Sequence, residues 1–144
     1  MLVSDILRSK GSLVKMVRSY DTAMSCAQRL KTEHVGALVV SDDGRSLDGM
    51  ISERDIAYGL ATYGGELHNV TVRDLMTRNV VTCAPRDTIL GAMSVMTRRR
   101  VRHLPVVDAG KLVGLVSTGD VLKYRLQEMQ LETNVLRDVV VAAR

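Results

Sequence analysis

Residues 49–55 read Gly-Met-Ile-Ser-Glu-Arg-Asp, and residues 114–120 read Gly-Leu-Val-Ser-Thr-Gly-Asp. The same order of glycine, two apolar residues, serine and, three residues later, aspartate therefore occurs twice in one chain. Each apolar pair predicts the end of a strand and each serine a helix N-cap, because a short hydroxyl side chain accepts hydrogen bonds from the first free amides of a helix. A duplicated strand-to-helix junction indicates that the chain contains two copies of one structural unit.

The sequence on either side of this junction is duplicated as well. Residues 3–7 align with 72–76, and residues 21–42 align with 87–108. In each copy an Asp-Thr pair precedes apolar residues at helical spacing, and a short apolar run ending in Asp follows, which predicts a helix and then a strand covered on both faces. A polar turn with glycine then leads to a second strand. The predicted strands are 14–17, 37–40 and 47–52 in the first copy and 80–82, 104–107 and 112–117 in the second.

These patterns predict a β-α-β-β-α unit that occurs twice. We place the first repeat at residues 1–63, a linker around the Gly-Gly pair at 64–71, the second repeat at 72–125 and a helical tail at 126–144. Within the tail region, apolar side chains recur at spacings of three and four, which is typical of a heptad seam. This seam predicts either a helix that packs on the core of its own chain or a contact between subunits.

The composition is that of a globular protein. The chain has 144 residues, of which 46% are apolar and 25% are charged. It contains no run of the ~20 apolar residues that a membrane helix requires, and residues 1–14 lack the apolar core of a secretory signal. Cys26 and Cys83 are too few for a disulfide framework or a usual zinc site, so we expect reduced thiols and a cytoplasmic protein without a membrane partner.

Arginine dominates the basic residues, and aromatic residues are scarce. The net charge is only +4, with no Trp, no Phe and four Tyr. Arginine in excess favours bidentate recognition of phosphate or carboxylate at particular sites. The basic run at 98–102 raises the alternative of nucleic-acid binding, but few aromatic side chains are present to stack on bases and the net charge is modest.

The two Ser-x-x-Asp motifs are the first candidate binding groups. The carboxylates of Asp55 and Asp120 can accept two hydroxyl protons of a vicinal diol, and the hydroxyls of Ser52 and Ser117 at a helix start suit a phosphate. The alternative is that both motifs only cap their helices. From the residues alone, both interpretations stay open.

The second candidate is the pair Arg102 and His103, which leads into the apolar strand of the second repeat. The aligned residues in the first repeat are Gly36 and Ala37. One repeat thus provides groups that can bind an anion and the other provides space. This asymmetry suits a single phosphate-bearing ligand held between the two repeats.

Residues 3–125 resemble a tandem pair of CBS domains, the Bateman module. The resemblance rests on the motifs at 74–77, 80–82, 100–108 and 114–120 in the second half and on 35–40 and 49–56 in the first. It implies an α+β (α/β-like) fold in which two β-α-β-β-α repeats pack with pseudo-twofold symmetry, followed by a C-terminal helix. It also implies a homodimer and an unidentified downstream protein target.

Proteins of this kind bind adenosyl ligands (AMP, ADP, ATP, sometimes NAD or S-adenosylmethionine) between their repeats. The resemblance implies that Asp55 and Asp120 hold ribose hydroxyls, that Ser52 and Ser117 lie by the ribose or phosphate, and that Arg102 and His103 face the phosphate of the ligand on Asp55. The backbone near Val17 and Thr82 would meet the adenine. Arg54, Ala37 and Thr118 complete the predicted set, and we expect the Asp55 cleft to be the occupied one.

We therefore predict a regulatory module without a reaction of its own, which binds an adenine nucleotide, AMP first, as a sensor of energy or redox state. None of the three histidines lies in a metalloprotease motif or in a sequence typical of a catalytic triad. No catalytic or metal-binding residue is therefore predicted. The alternatives are nucleic-acid binding through 98–102 and a dimerising adaptor with empty clefts.

Overall fold

The protein, described by a computed structural model over residues 1–143, consists of two α/β lobes. Residue 144, the last of the predicted tail, lies outside the described residues. The predicted α+β class with two similar repeats and a C-terminal helix is confirmed. In chain order the elements are α1 (Val3–Lys10), β1 (Met16–Val17), α2 (Ala23–Glu33), β2 (Ala37–Val40), β3 (Gly49–Ser52), α3 (Glu53–Tyr63), a 3-10 helix (Gly64–Asn69), α4 (Val72–Leu75), α5 (Ile89–Arg99), β4 (His103–Asp108), β5 (Lys111–Ser117) and α6 (Thr118–Ala142).

The duplicated sequence motifs produce the same local structure in both lobes. Thr22 and Thr88 cap α2 and α5 by accepting hydrogen bonds from the backbone amides three residues later, at 3.1 and 2.9 Å. Antiparallel pairing sets Ala37 opposite Ser52 in one hairpin and His103 opposite Ser117 in the other. Each hairpin therefore brings the start of its first strand next to the start of the following helix.

The two sheets differ at their opening strand. In the first lobe β1 runs parallel to β2, with the amide of Val39 donating to the carbonyl of Lys15. The prediction of a strand at 80–82 is wrong, since the structure has only an isolated parallel bridge between Cys83 and Val106 there. The residue that aligns with Val39 is Pro105, which has no N–H to donate to a strand at that position.

The first helix of each repeat packs on the lobe built by the other repeat. Val3 and Ile6 of α1 are fully buried in the core of the second lobe, with residues such as Leu104 and Val116. Val72 of α4 is fully buried in the core of the first lobe. The backbone repeats this exchange, because the amides of residues 3 and 72 donate to the carbonyls of residues 87 and 21, both at 2.8 Å. The two lobes are thus related by pseudo-twofold symmetry and joined by reciprocal contacts.

The helix α6 begins inside the second lobe and extends beyond it. Val121 and Tyr124 are buried, whereas the apolar side chains that follow are exposed. Of the two interpretations of the seam, packing on the core of its own chain therefore does not apply after Tyr124. None of the helices in the described residues is long and apolar enough to span a bilayer.

Candidate functional site

A cleft of about 720 Å³ lies between the two lobes. Clefts of ~300–1,000 Å³ are of the size that usually binds small molecules and cofactors. One wall comes from the facing ends of β2 and β3 and the start of α3, and the other from residues after α4, from residues 100–103 and from the start of α6. Of the predicted site residues, the structure brings Ala37, Ser52, Arg54, Asp55, Arg102, His103, Ser117 and Thr118 together here.

Asp55 combines a structural contact with an available oxygen. Its Oδ2 accepts hydrogen bonds from the amide of Ser52 at 2.9 Å and from the hydroxyl of Ser52 at 3.1 Å, while its own amide donates to Ser52 Oγ at 3.3 Å. This capping box begins α3. No described residue donates to Oδ1. Capping and ligand binding are therefore compatible, because one carboxylate oxygen serves the helix and the other is left to accept a hydroxyl.

The opposite wall is cationic. Arg100 and Arg102 line it, and Arg54 adds a third guanidinium from the first lobe. His103 is half-buried, and its burial, with the charges of Arg102 and Lys10, lowers its pKa below the usual value. The imidazole is therefore mainly neutral at pH 7, and the arginines provide the positive charge of this wall.

Backbone hydrogen bonds position both walls in the same way. The amide of Glu53 donates to the carbonyl of Gly36 at 3.0 Å, and the amide of Thr118 donates to the carbonyl of Arg102 at 2.9 Å. The hydroxyl of Thr118 also donates to that carbonyl, at 3.2 Å. These bonds tie each helix start to the neighbouring strand start, so the side chains on the two walls are held on rigid elements.

Three predicted residues do not line this cleft. Val17 is buried in the core of the first lobe, and Thr82 is exposed just beyond Val80 and Val81, which do line the cleft. Asp120 lies at the related position in the second repeat, where it makes a salt bridge. Their predicted contacts with a ligand stay predictions.

Several residues that line the cleft are not among the predicted ones. Thr77 and Asn79 enter the cleft from the segment that follows α4, and Met50 enters from β3. Arg100 ends α5 in the left-handed conformation, with φ of 55°. An isolated bridge between Met50 and Thr77 places the segment 77–79 beside β3, and no spacing in the sequence indicates that contact.

Asp120 is paired with a lysine from the first helix. Its Oδ2 accepts from Lys10 Nζ at 2.7 Å and from the amide of Ser117 at 2.9 Å. Burial alone would raise the pKa of Asp120, but the hydrogen bonds from Lys10 and Ser117 outweigh it and hold the pKa below the usual value. The carboxylate is thus ionised and neutralised within the chain.

Both thiols are buried within the lobes. Burial raises the pKa of Cys26 to about 11 and that of Cys83 to about 12. Both are therefore protonated at neutral pH, and neither lines the cleft.

Known proteins resemble this chain over nearly its full length. The sequence model of the family described as the CBS domain matches residues 3–62 and 72–127. A CBS-domain-containing protein from Agrobacterium tumefaciens is 36% identical, with a TM-score of 0.82 over 87% of this chain and 99% of that one. CBSX2, solved in complex with AMP, is 27% identical, with a TM-score of 0.76 over 89% and 98%. The CBS domain pair of protein MJ0100, solved with 5′-methylthioadenosine and S-adenosyl-L-methionine, is 28% identical, with a TM-score of 0.74 over 86% and 98%.

Proposed function

This chain belongs to the CBS domain family, and from that premise we propose that it is a regulatory module without catalytic activity, which binds an adenine nucleotide, AMP first, between its two repeats. One observation carries the proposal: residues that line the same cleft include Asp55 of one repeat and Arg102 and His103 of the other. The adenosyl ligands in two related structures support the same ligand class.

The proposed pose follows from the chemistry of the walls. The ribose hydroxyls donate to the carboxylate of Asp55, and the phosphate lies against the guanidinium of Arg102, whose planar fork matches phosphate oxygens. The adenine contacts the apolar side of the cleft near Met50 and Val80. A ligand in this pose contacts both repeats, so its binding stabilises their present arrangement.

We further propose that occupancy of this cleft reports the energy or redox state of the cell to a partner protein, with AMP, ATP and NAD as the candidate signals. Localisation in the cytoplasm stays a prediction. It is in keeping with the two free, buried cysteines, since disulfides are rare in reducing compartments.

The test of this function is calorimetric titration of the native protein and of Arg102→Ala with AMP and with adenosine. A hydrogen bond to a charged group contributes about 1.5–3 kcal/mol, so the variant should lose about 10-fold or more in AMP affinity. Its adenosine affinity should not change, because adenosine has no phosphate. Arg98→Ala is the matched control, since Arg98 lies in the last turn of α5, four residues before Arg102, and does not line the cleft. Equal losses for AMP and adenosine would exclude the phosphate role.

A thermal-shift panel with ADP, ATP, NAD and S-adenosylmethionine then ranks the ligands. A ligand at about 100 times its Kd stabilises the folded state by about 2.7 kcal/mol. A flat panel, together with no adenine absorbance released on denaturation, would favour the adaptor with empty clefts. Binding of duplex DNA whose affinity falls steeply with salt would favour the nucleic-acid alternative.

We also propose that α6 joins two copies of the chain in a homodimer. Beyond Tyr124 its seam is exposed, with Leu126, Met129 and Leu136 at heptad spacing. In a parallel pair with this register, Glu132 of one copy faces Arg137 of the other across the seam. The symmetry of the pair gives this ion pair twice. A seam of this length is short for a coiled coil acting alone, so we expect a concentration-dependent dimer.

Analytical ultracentrifugation of Leu136→Asn tests this dimer. Leu136 is 66% exposed on the seam, and an asparagine there should weaken the dimer by about 10-fold, because burial of a leucine contributes about 1.5–3 kcal/mol. Leu131→Asn is the matched control, since Leu131 is 56% exposed on the opposite face of the helix. A native monomer at high concentration, or equal weakening by both substitutions, would contradict the seam.

A further inference from the structure

We infer that Lys10 closes the second diol-binding site, that of Asp120, so that each chain holds one nucleotide rather than two. This inference rests on the proposed function of the Asp55 cleft. The two aspartates occupy the same place in the two repeats, each at the third position of a helix capped by a serine. In both, Oδ2 accepts from the serine amide at 2.9 Å. The local geometry therefore offers two similar carboxylates.

The neighbours of the two carboxylates differ. The Lys10 ammonium donates to Asp120 Oδ2 at 2.7 Å and to the carbonyl of Leu115 at 3.0 Å. Both groups belong to the second lobe, and Lys10 reaches them from the end of α1, which packs on that lobe by the exchange of first helices. Among the described residues, Asp55 has no such cation.

The alignment of the repeats identifies the difference at one position. When residues 3–7 are set against 72–76, the residue that aligns with Lys10 is Asn79. Asn79 lines the cleft of Asp55. In the aligned sequence a neutral amide thus replaces the ammonium, and among the described residues the first carboxylate has no cation partner whereas the second one is paired.

The charge of the second site also disfavours a nucleotide. The Lys10 ammonium already neutralises this carboxylate from Oδ2 and is hydrogen-bonded to two acceptors, so a ribose diol at Asp120 would compete with a paired cation. Gly36 and Ala37 at the start of β2 align with Arg102 and His103, line the same cleft and carry no charged side chain. Displacement of Lys10 is therefore not compensated by a second cation on that strand.

The experiment is to count bound ligand in Lys10→Asn, which gives the second site the residue found in the first. Equilibrium dialysis with AMP and, separately, with adenosine measures the number bound per chain at saturation. Adenosine is the stricter probe, because the second site lacks the strand-borne cation for a phosphate. We expect one ligand per native chain and two per Lys10→Asn chain, and a return to one in Lys10→Asn combined with Asp120→Ala.

Arg8→Asn is the matched control. Arg8 lies on the same helix, its side chain is 76% exposed, and it pairs with Asp5 rather than with Asp120. The Arg8→Asn substitution removes one positive charge from α1, as Lys10→Asn does, and should leave one ligand bound per chain. If the control also gave two, loss of charge on the helix would explain the result and the inference would be wrong.

The remaining outcomes separate this inference from the proposed function. Two ligands per native chain, or one in both the native protein and Lys10→Asn, would overturn the closure by Lys10 and leave the Asp55 site intact. No ligand on the native chain with one on Lys10→Asn would support the closure and contradict the Asp55 site. No ligand on either would contradict both.

Discussion

Replacing Asp55 with alanine is expected to weaken AMP binding by at least about 10-fold, whereas replacing Asp120 with alanine leaves it unchanged. In the proposed pose the carboxylate of Asp55 accepts the ribose hydroxyls, and hydrogen bonds to a charged group contribute about 1.5–3 kcal/mol each. Asp120 is paired with Lys10 and lies outside the cleft, so its loss removes no contact with the ligand.

The two aspartates are suited to this comparison because both stabilise the start of a helix by the same capping contact. Each accepts the amide of its serine N-cap at 2.9 Å, so each alanine variant loses the same capping contact, which costs about 0.5–2 kcal/mol. Titration calorimetry of both variants with AMP measures the difference directly. Affinity that falls equally in both would attribute the loss to the caps and remove the ribose role from Asp55.

Replacing Ile6 with alanine is expected to cost about 2–5 kcal/mol in the free energy of unfolding, because the side chain is fully buried and its loss leaves a cavity. Urea unfolding of the native protein and the variant measures this cost. Leu13→Ala is the control, since Leu13 is 93% exposed and should change the free energy by less than about 0.5 kcal/mol.

The region that Ile6→Ala destabilises is as informative as the size of the loss in stability. Residue 6 lies in the first repeat of the sequence but in the core of the second lobe. Hydrogen exchange should therefore accelerate first in β4 and β5, and later in β2 and β3. Faster exchange confined to β2 and β3 would contradict the exchange of first helices.

Local patterns in the sequence predict much of this structure. The duplicated Ser-x-x-Asp motif predicts both helix starts, because capping depends on residues three apart. The apolar runs predict the hairpins, and the hairpins set Ala37 beside Ser52 and His103 beside Ser117. A site formed at such strand ends can therefore be inferred from motifs alone.

Contacts between distant segments are not predicted in this way. Lys10 and Asp120 are 110 positions apart, and nothing in the spacing around either residue indicates the other. The first helices α1 and α4 carry apolar side chains that would suit the core of either lobe, so their pattern does not tell which lobe each one covers. That residues 80–82 do not form a strand could have been predicted from the sequence, since Pro105 lacks the N–H that the strand would need as a donor.

The exchange of first helices also has a consequence for synthesis on the ribosome. Val3 and Ile6 are made more than a hundred residues before Val121, which belongs to the core that receives them. At about 5–20 residues per second, this interval lasts roughly 6–24 seconds. During that time the apolar face of α1 has no completed core to enter. We therefore expect the nascent chain to expose this helix to chaperones until the second lobe closes over it.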